Sequence, residues 1–121
     1  MDNFIVRSAT VNDVAAVTAC VHHAFDHYIE RIGRKPGPML MDYAHEIREH
    51  QVFVVEDNGQ IFGVLVLCIK DEGFLLDVIA VEPRAQGKGI GKLLLETAES
   101  EARRQGFTSI YLYTHEKMTE N

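Results

Sequence analysis

The residues whose types and spacing most suggest chemistry form one unbroken run, Gln86-Gly87-Lys88-Gly89-Ile90-Gly91-Lys92, which follows the apolar stretch from Phe74 to Val81. Glycines at alternate positions remove the side chains that would hold a large anion away from the backbone. A helix opening here would aim its free N–H groups and the positive end of its dipole at such an anion. Lys88 and Lys92 add positive charge in a chain that is otherwise acidic. The run therefore reads as a pyrophosphate cradle. It is not a Walker loop, which needs Gly-Lys-Ser/Thr, because Leu93 follows Lys92. It is not the dinucleotide fingerprint either, since G-x-G-x-x-G from Gly87 would require glycine at position 92. A turn serving only close packing of helix on strand rarely needs three glycines in five residues.

A second group of residues offers proton chemistry. Asp77 interrupts the apolar run Phe74-Leu75-Leu76-Asp77-Val78-Ile79, just before the glycine segment. An alkylammonium releases its proton only near pH 10.4, so a carboxylate there is a candidate base, directly or through water. The alternative is a carboxylate on the solvent side of a strand. Glu82 is the second candidate base, although its place past the strand end also suits a group that faces water. Tyr111, Tyr113 and His115 lie in or just after the last apolar segment and are candidate acids; the tyrosines also suit ordinary strand positions. His22, His23, His27 and Tyr28 cluster near the end of an early helical segment. His23 and His27 are spaced to share one helical face, but two ligands without a third make no zinc site, and no metal is expected.

The elements that must position these groups can be read from periodicity. Phe4-Ile5-Val6-Arg7 suggests a short strand. Asn12 or Asp13 then caps a helix reaching about Phe25, with Val14, Val17, Val21 and Phe25 at helical spacing. After a break at residues 33–38, rich in Gly and Pro, residues 39–49 read as a second helix. Residues 51–56 and 61–69 are strands joined through Asn58-Gly59, a strong two-residue hairpin pattern. Residues 74–81 form another strand. Residues 87–105 form a helix with Ile90, Leu93, Leu94, Thr97 and Ala98 on one face, closed by Gly106. Residues 108–113 form a last strand. The order β-α-α-β-β-β-α-β predicts an α/β layer protein with a hairpin-rich mixed sheet.

Length and composition narrow the options further. The chain has 121 residues, enough for one domain, with 46% hydrophobic and 25% charged residues. Twelve basic against eighteen acidic residues leave a net charge of −6. That argues against nucleic acid or an anionic membrane as partner and is compatible with a cationic amine. Cys20 and Cys68 sit in apolar contexts and form no CxxC pair, as expected of packed, reduced thiols in the cytoplasm. The start of the chain lacks the basic and apolar regions of a signal peptide. The longest apolar run, residues 61–69, is too short to span a membrane.

With these residues in place, the chain resembles the GNAT superfamily of acetyl-CoA-dependent N-acyltransferases. The family's Gln/Arg-x-x-Gly-x-Gly/Ala motif is matched at its fixed positions by Gln86, Gly89 and Gly91. The resemblance covers nearly the whole chain. It implies a three-layer α/β fold with a mixed, mostly antiparallel sheet and helices on both faces. It also implies that Ile79, Ala80 and Val81 pair with the pantetheine amides while residues 86–92 wrap the pyrophosphate. The Val81 N–H would polarise the thioester carbonyl. By resemblance, the region around His27, Tyr28, Glu30 and Arg31 contacts the acceptor, an amine-bearing small molecule or peptide. Asn121 stands where the family's next helix commonly begins, with a cofactor-contacting asparagine. The family continues past this point, so residues 1–121 read as a single domain, shortened at its C-terminus. The uncharged edge of Ile110, Tyr111, Leu112 and Tyr113 then suggests a homodimer. A CoA-binding module without catalysis and an interaction subunit remain the alternative readings.

Overall fold

The computed structural model describes residues 3–71 and 73–112. The order is β1 (Ile5–Ser8), α1 (Val14–Phe25), α2 (Tyr28–Ile32), α3 (Tyr43–Glu49), β2 (Gln51–Asp57), β3 (Gln60–Lys70), β4 (Gly73–Val81), α4 (Ile90–Arg104) and β5 (Ile110–Leu112). Among the described residues the strands form one sheet in chain order, antiparallel except where β5 runs parallel to β4. Each face is covered because alternate side chains of the central strands are apolar on both sides. Val54, Val64, Val66 and Val78 pack with α1 and Tyr43 of α3. Val55, Leu65, Leu67 and Leu76 pack with Ile90, Leu94 and Ala98 of α4. The mixed sheet with helices on both faces agrees with the fold expected from the sequence.

The departures are local. The helix expected over residues 39–49 begins only at Tyr43. Asp42 is the reason: its carboxylate accepts from the N–H groups of Ala44 and His45 at 3.0 and 3.3 Å, capping the helix there. Residues 37–40 form a separate 3-10 turn. Similarly, α4 starts at Ile90 rather than near Gly87, because Gly87 and Gly89 adopt φ of +85° and +83°, outside the helical region. Asp13 does not cap α1 with its side chain. Its carboxylate instead accepts from the Arg7 guanidinium at 2.8 and 3.0 Å and from the Thr10 N–H at 2.7 Å. Arg7 also bonds Glu56 on β2, so one guanidinium ties the edge strand to both its neighbour and the start of α1.

This network has a pH signature. The Arg7 hydrogen bonds hold the Asp13 carboxyl at about 2, below its ordinary 3.8. A carboxylate depressed in the fold stabilises it above the unfolded value, and that stability disappears as the pH falls from about 4 through 2. The Arg7 side chain is 35% exposed, so screening leaves on the order of 1–2 kcal/mol. Thermal melts should show wild type losing this increment below pH 4 or so, while Asp13→Asn starts lower and shows a flatter acid limb. Parallel acid limbs would dissociate Asp13 from the effect.

The seating of α4 depends on Gly63 in β3. A Cβ added there would meet Ile90 Cγ2 at 2.7 Å and Leu94 Cδ1 at 3.2 Å. The missing side chain lets the first turn of α4 press against the sheet, which places the preceding glycine loop beside the end of β4. Gly63→Ala is expected to cost about 1–3 kcal/mol through overpacking. Calorimetry should read this as a fall in Tm of several degrees, and an unchanged Tm would contradict the close approach.

Candidate active site

The glycine loop lies where a buried strand passes into a long helix. β4 ends at Val81, a 3-10 turn covers Pro83–Ala85, and residues 86–89 are exposed. The first intrahelical bond inward from the cap is Leu93 N–H to the Gly89 carbonyl, at 3.0 Å. The amides of Ile90, Gly91 and Lys92 therefore open the helix and point out of its N-terminus. Positions 87 and 89 have open space around them, with nothing within 4 Å of an added Cβ. Their glycines answer to backbone conformation and approach from outside, not to core packing. Gly91 lies in the helix itself, with Val81 Cγ2 at 4.0 Å from where its Cβ would stand.

β4 supplies the second half of the site. β5 pairs with it only from Phe74↔Ile110 to Leu76↔Leu112. Beyond Leu76, among the described residues, no strand pairs with β4 on that side. Ile79 and Val81 lie on the α4 face and Ala80 on the α1 face of this stretch. β4 carries a β-bulge against β3: Val66 faces Val78 and Leu67 faces Leu76, leaving Asp77 as the extra residue. Asp77 lies on the α3 side of the sheet, the side of Leu75 and Cys68. There its carboxylate lies 3.7 Å from Cys68 Sγ and within 4.8 Å of Glu46. Cys68 is a free, buried thiol. Burial first, then the charges of Asp77 and Glu46, push it up to about 12. Tyr43, buried beside this cluster, is also raised, chiefly by burial. Its hydroxyl donates to the Pro38 carbonyl at 2.7 Å.

Glu82 does not face water; it is only 7% exposed. Its carboxylate is held by His23 Nδ1 at 2.9 and 3.1 Å, and its backbone N–H donates to the Phe62 carbonyl at 2.8 Å. Cys20 lies alongside, pushed up to about 12 by burial and then by Glu82. The two candidate bases thus have separate surroundings: Asp77 with α3, Glu82 with α1. His27 is exposed and stacks on Tyr28 at 4.0 Å between centroids. Tyr28 is fully enclosed in the core and packs against Phe25 at 5.9 Å, so its ring is a core element rather than an exposed acceptor contact. Glu30 is exposed, and Arg31 lies in α2. Tyr113, His115 and Asn121 fall outside the described residues. The sequence reading weighed His23 only beside His27 and did not single out Glu46, because Glu82 lies 59 residues after His23 and Cys68 and Asp77 lie on other elements than Glu46.

A five-stranded, mostly antiparallel sheet whose fourth strand leads into a glycine-started helix is an α/β domain of acyltransferase type. Residues 17–120 match the model of the acetyltransferase (GNAT) family, and the chain belongs to that family. It is 31% identical over 110 residues to the L-methionine sulfoximine/L-methionine sulfone acetyltransferase of Salmonella typhimurium. That match covers 84% of this chain and 64% of the relative, so the chain spans less than two thirds of the relative's length. The fold is similar to the PaiA N-acetyltransferase of Thermoplasma acidophilum in complex with coenzyme A, with a TM-score of 0.81 and 16% identity over 98% of this chain and 84% of that one. The ribosomal-protein-S18-alanine N-acetyltransferase of Escherichia coli aligns with a TM-score of 0.76 and 18% identity, over 98% of this chain and 71% of that one. Among the described residues, no helix is long and apolar enough to cross a membrane.

Proposed function

We propose that this chain carries an N-acetyltransferase site taking its acetyl group from acetyl-CoA and giving it to the primary amine of a small molecule. The observation that carries this reading is the exposed, glycine-lined N-terminus of α4, which follows directly on the end of β4. Amides 90–92 and the lysines of residues 86–92 bind the pyrophosphate. Ile79, Ala80 and Val81 offer backbone groups to the pantetheine arm as an added strand would. The Salmonella relative is named for small amino-acid derivatives, which favours a small acceptor over a peptide.

Asp77 is the base of this reading. It takes a proton from the acceptor ammonium, directly or through water, and frees the nitrogen lone pair to attack the thioester carbonyl. The Val81 N–H donates to the carbonyl oxygen as negative charge develops there. The C–S bond then breaks, Tyr113 supplies the proton to the departing thiolate, and the second surplus proton of the attacking nitrogen passes through solvent to the Tyr113 oxygen, leaving the neutral amide. Asn121 adds a cofactor contact, and His27, Glu30 and Arg31 border the acceptor. Glu82, held by His23, is the second candidate base.

The test is calorimetry with CoA followed by turnover on a panel of small primary amines. Binding with turnover is expected. Binding without turnover on any amine would instead support a non-catalytic CoA-binding module, and absence of binding would remove the reading.

A further inference from the structure

The C-terminal end of α3 gathers a set of donor atoms away from the glycine loop. A ring nitrogen of His45, a ring nitrogen of His50 and a carboxylate oxygen of Glu46 all lie within 4.8 Å of one another. The two imidazoles stand edge to face, with centroids 6.1 Å apart and planes at 72°. The backbone explains how they meet. Glu46 and His50 are one helical turn apart, and the His50 N–H donates to the Glu46 carbonyl at 2.9 Å. At His50 the chain leaves the helix, with φ −132° and ψ −174°. His45-Glu46-x-x-x-His50 is one residue longer than H-E-x-x-H, in which both histidines share a helical face. The exit from the helix at His50 makes up for that extra residue.

We propose that His45, Glu46 and His50 bind a divalent transition-metal ion of the zinc type, with a fourth position left for water or an outside ligand. Two imidazoles and one carboxylate form a borderline donor set that suits Zn2+ or Co2+ and does not suit Mg2+ or Ca2+, which require oxygen ligands. In a tetrahedral site with bonds of about 2.0–2.2 Å, ligand atoms sit about 3.3 Å apart. Closure from the present spacing takes shifts on the order of 1 Å, within reach of rotation about side-chain bonds of exposed or half-buried residues. Glu46 is shared, since its carboxylate also lies within 4.8 Å of Cys68 and Asp77. Those two would compete for the ion, but Cys68 is buried in the core whereas His45 is exposed and His50 half-buried, so the histidine side is the one open to an ion from solvent. The exposed histidine side therefore takes the carboxylate.

The test uses the full chain without an affinity tag. Calorimetric titration with Zn2+ should give about one equivalent at micromolar affinity, and Mg2+ should give none. His45→Asn and His50→Asn should each weaken Zn2+ by at least ~10-fold. Replacing the other four histidines, His22, His23, His27 and His115, by Asn should leave the affinity in place. Co2+ should develop visible d–d absorption without a thiolate charge-transfer band. Affinity unchanged in both the His45 and His50 variants would overturn the proposal. So would a thiolate band that disappears in Cys68→Ser, which would assign the ion to the Cys68–Asp77 cluster. Far-UV circular dichroism confirms that each variant is folded before it is scored, and His45→Gln serves as a second variant at the exposed position.

Discussion

Aspartate in place of Gly89 is expected to weaken CoA binding by about 30- to 150-fold while leaving the melting temperature close to wild type. The two readouts separate because position 89 has no packing role. An added Cβ meets nothing within 4 Å, so the core is not disturbed. The backbone there is left-handed, φ +83° and ψ +10°, and a side chain costs about 1 kcal/mol in that region. Against this, a carboxylate at the positive end of α4 gains about 0.3–1 kcal/mol from the helix dipole. The net effect on stability is small. The ligand meets the opposite situation: the carboxylate occupies the space and the potential that a diphosphate needs, and like charges about 4 Å apart repel by several kcal/mol before screening. Gly89→Asn, similar in size but neutral, should lose less affinity than Gly89→Asp, and the gap should shrink at high salt. Equal CoA affinity in wild type and Gly89→Asp would remove the glycine loop from the cofactor site.

How much of this was legible in the sequence depended on the range of the interaction. The exposed glycine loop opening a helix was legible because its determinants are local: residue type, spacing and the start of the helix all fall within residues 86–92. The β2–β3 hairpin was equally plain, since Asn58 and Gly59 both take positive φ, as a primed two-residue turn requires. The bulge at Asp77 was not legible. An apolar strand interrupted by one carboxylate looks the same whether that residue faces solvent or is the extra residue of a bulge. Glu82 was placed at the strand end but its burial was not foreseen, because its partner His23 comes 59 residues earlier, on α1. Tyr28 shows the same limit: the resemblance set it among the acceptor-contacting residues, and its enclosure in the core comes from tertiary packing that local sequence does not carry. The start of α3 was missed because residues 39–41 continue the apolar pattern, and only the cap at Asp42 reveals where the helix begins.

Replacing Asp77 by Asn should lower kcat/KM by about 100-fold near neutral pH, with CoA affinity within a factor of about two of wild type. The asparagine keeps the shape of the side chain at the bulge and removes only its ability to accept a proton. A primary amine with a pKa of about 10.4 is neutral in only about one molecule in 2,500 at pH 7, so removal of that proton is a large part of the barrier. The defect should accordingly shrink as the pH rises toward 10 and the free amine becomes abundant. That pH dependence distinguishes a base from a structural residue, whose loss would depress turnover at every pH. Surroundings argue in the same direction. Asp77 lies with Glu46 on the α3 side, next to a buried thiol and a buried tyrosine hydroxyl that already donates to Pro38. Neither the thiol nor the tyrosine hydroxyl is a cation that would hold the Asp77 carboxylate, which leaves it for an acceptor ammonium entering beside β4. Glu82 differs, because His23 already occupies its carboxylate. If Asp77→Asn turned over at the wild-type rate across the pH range, the base would have to be sought at Glu82, and Glu82→Gln would then be the variant to lose activity.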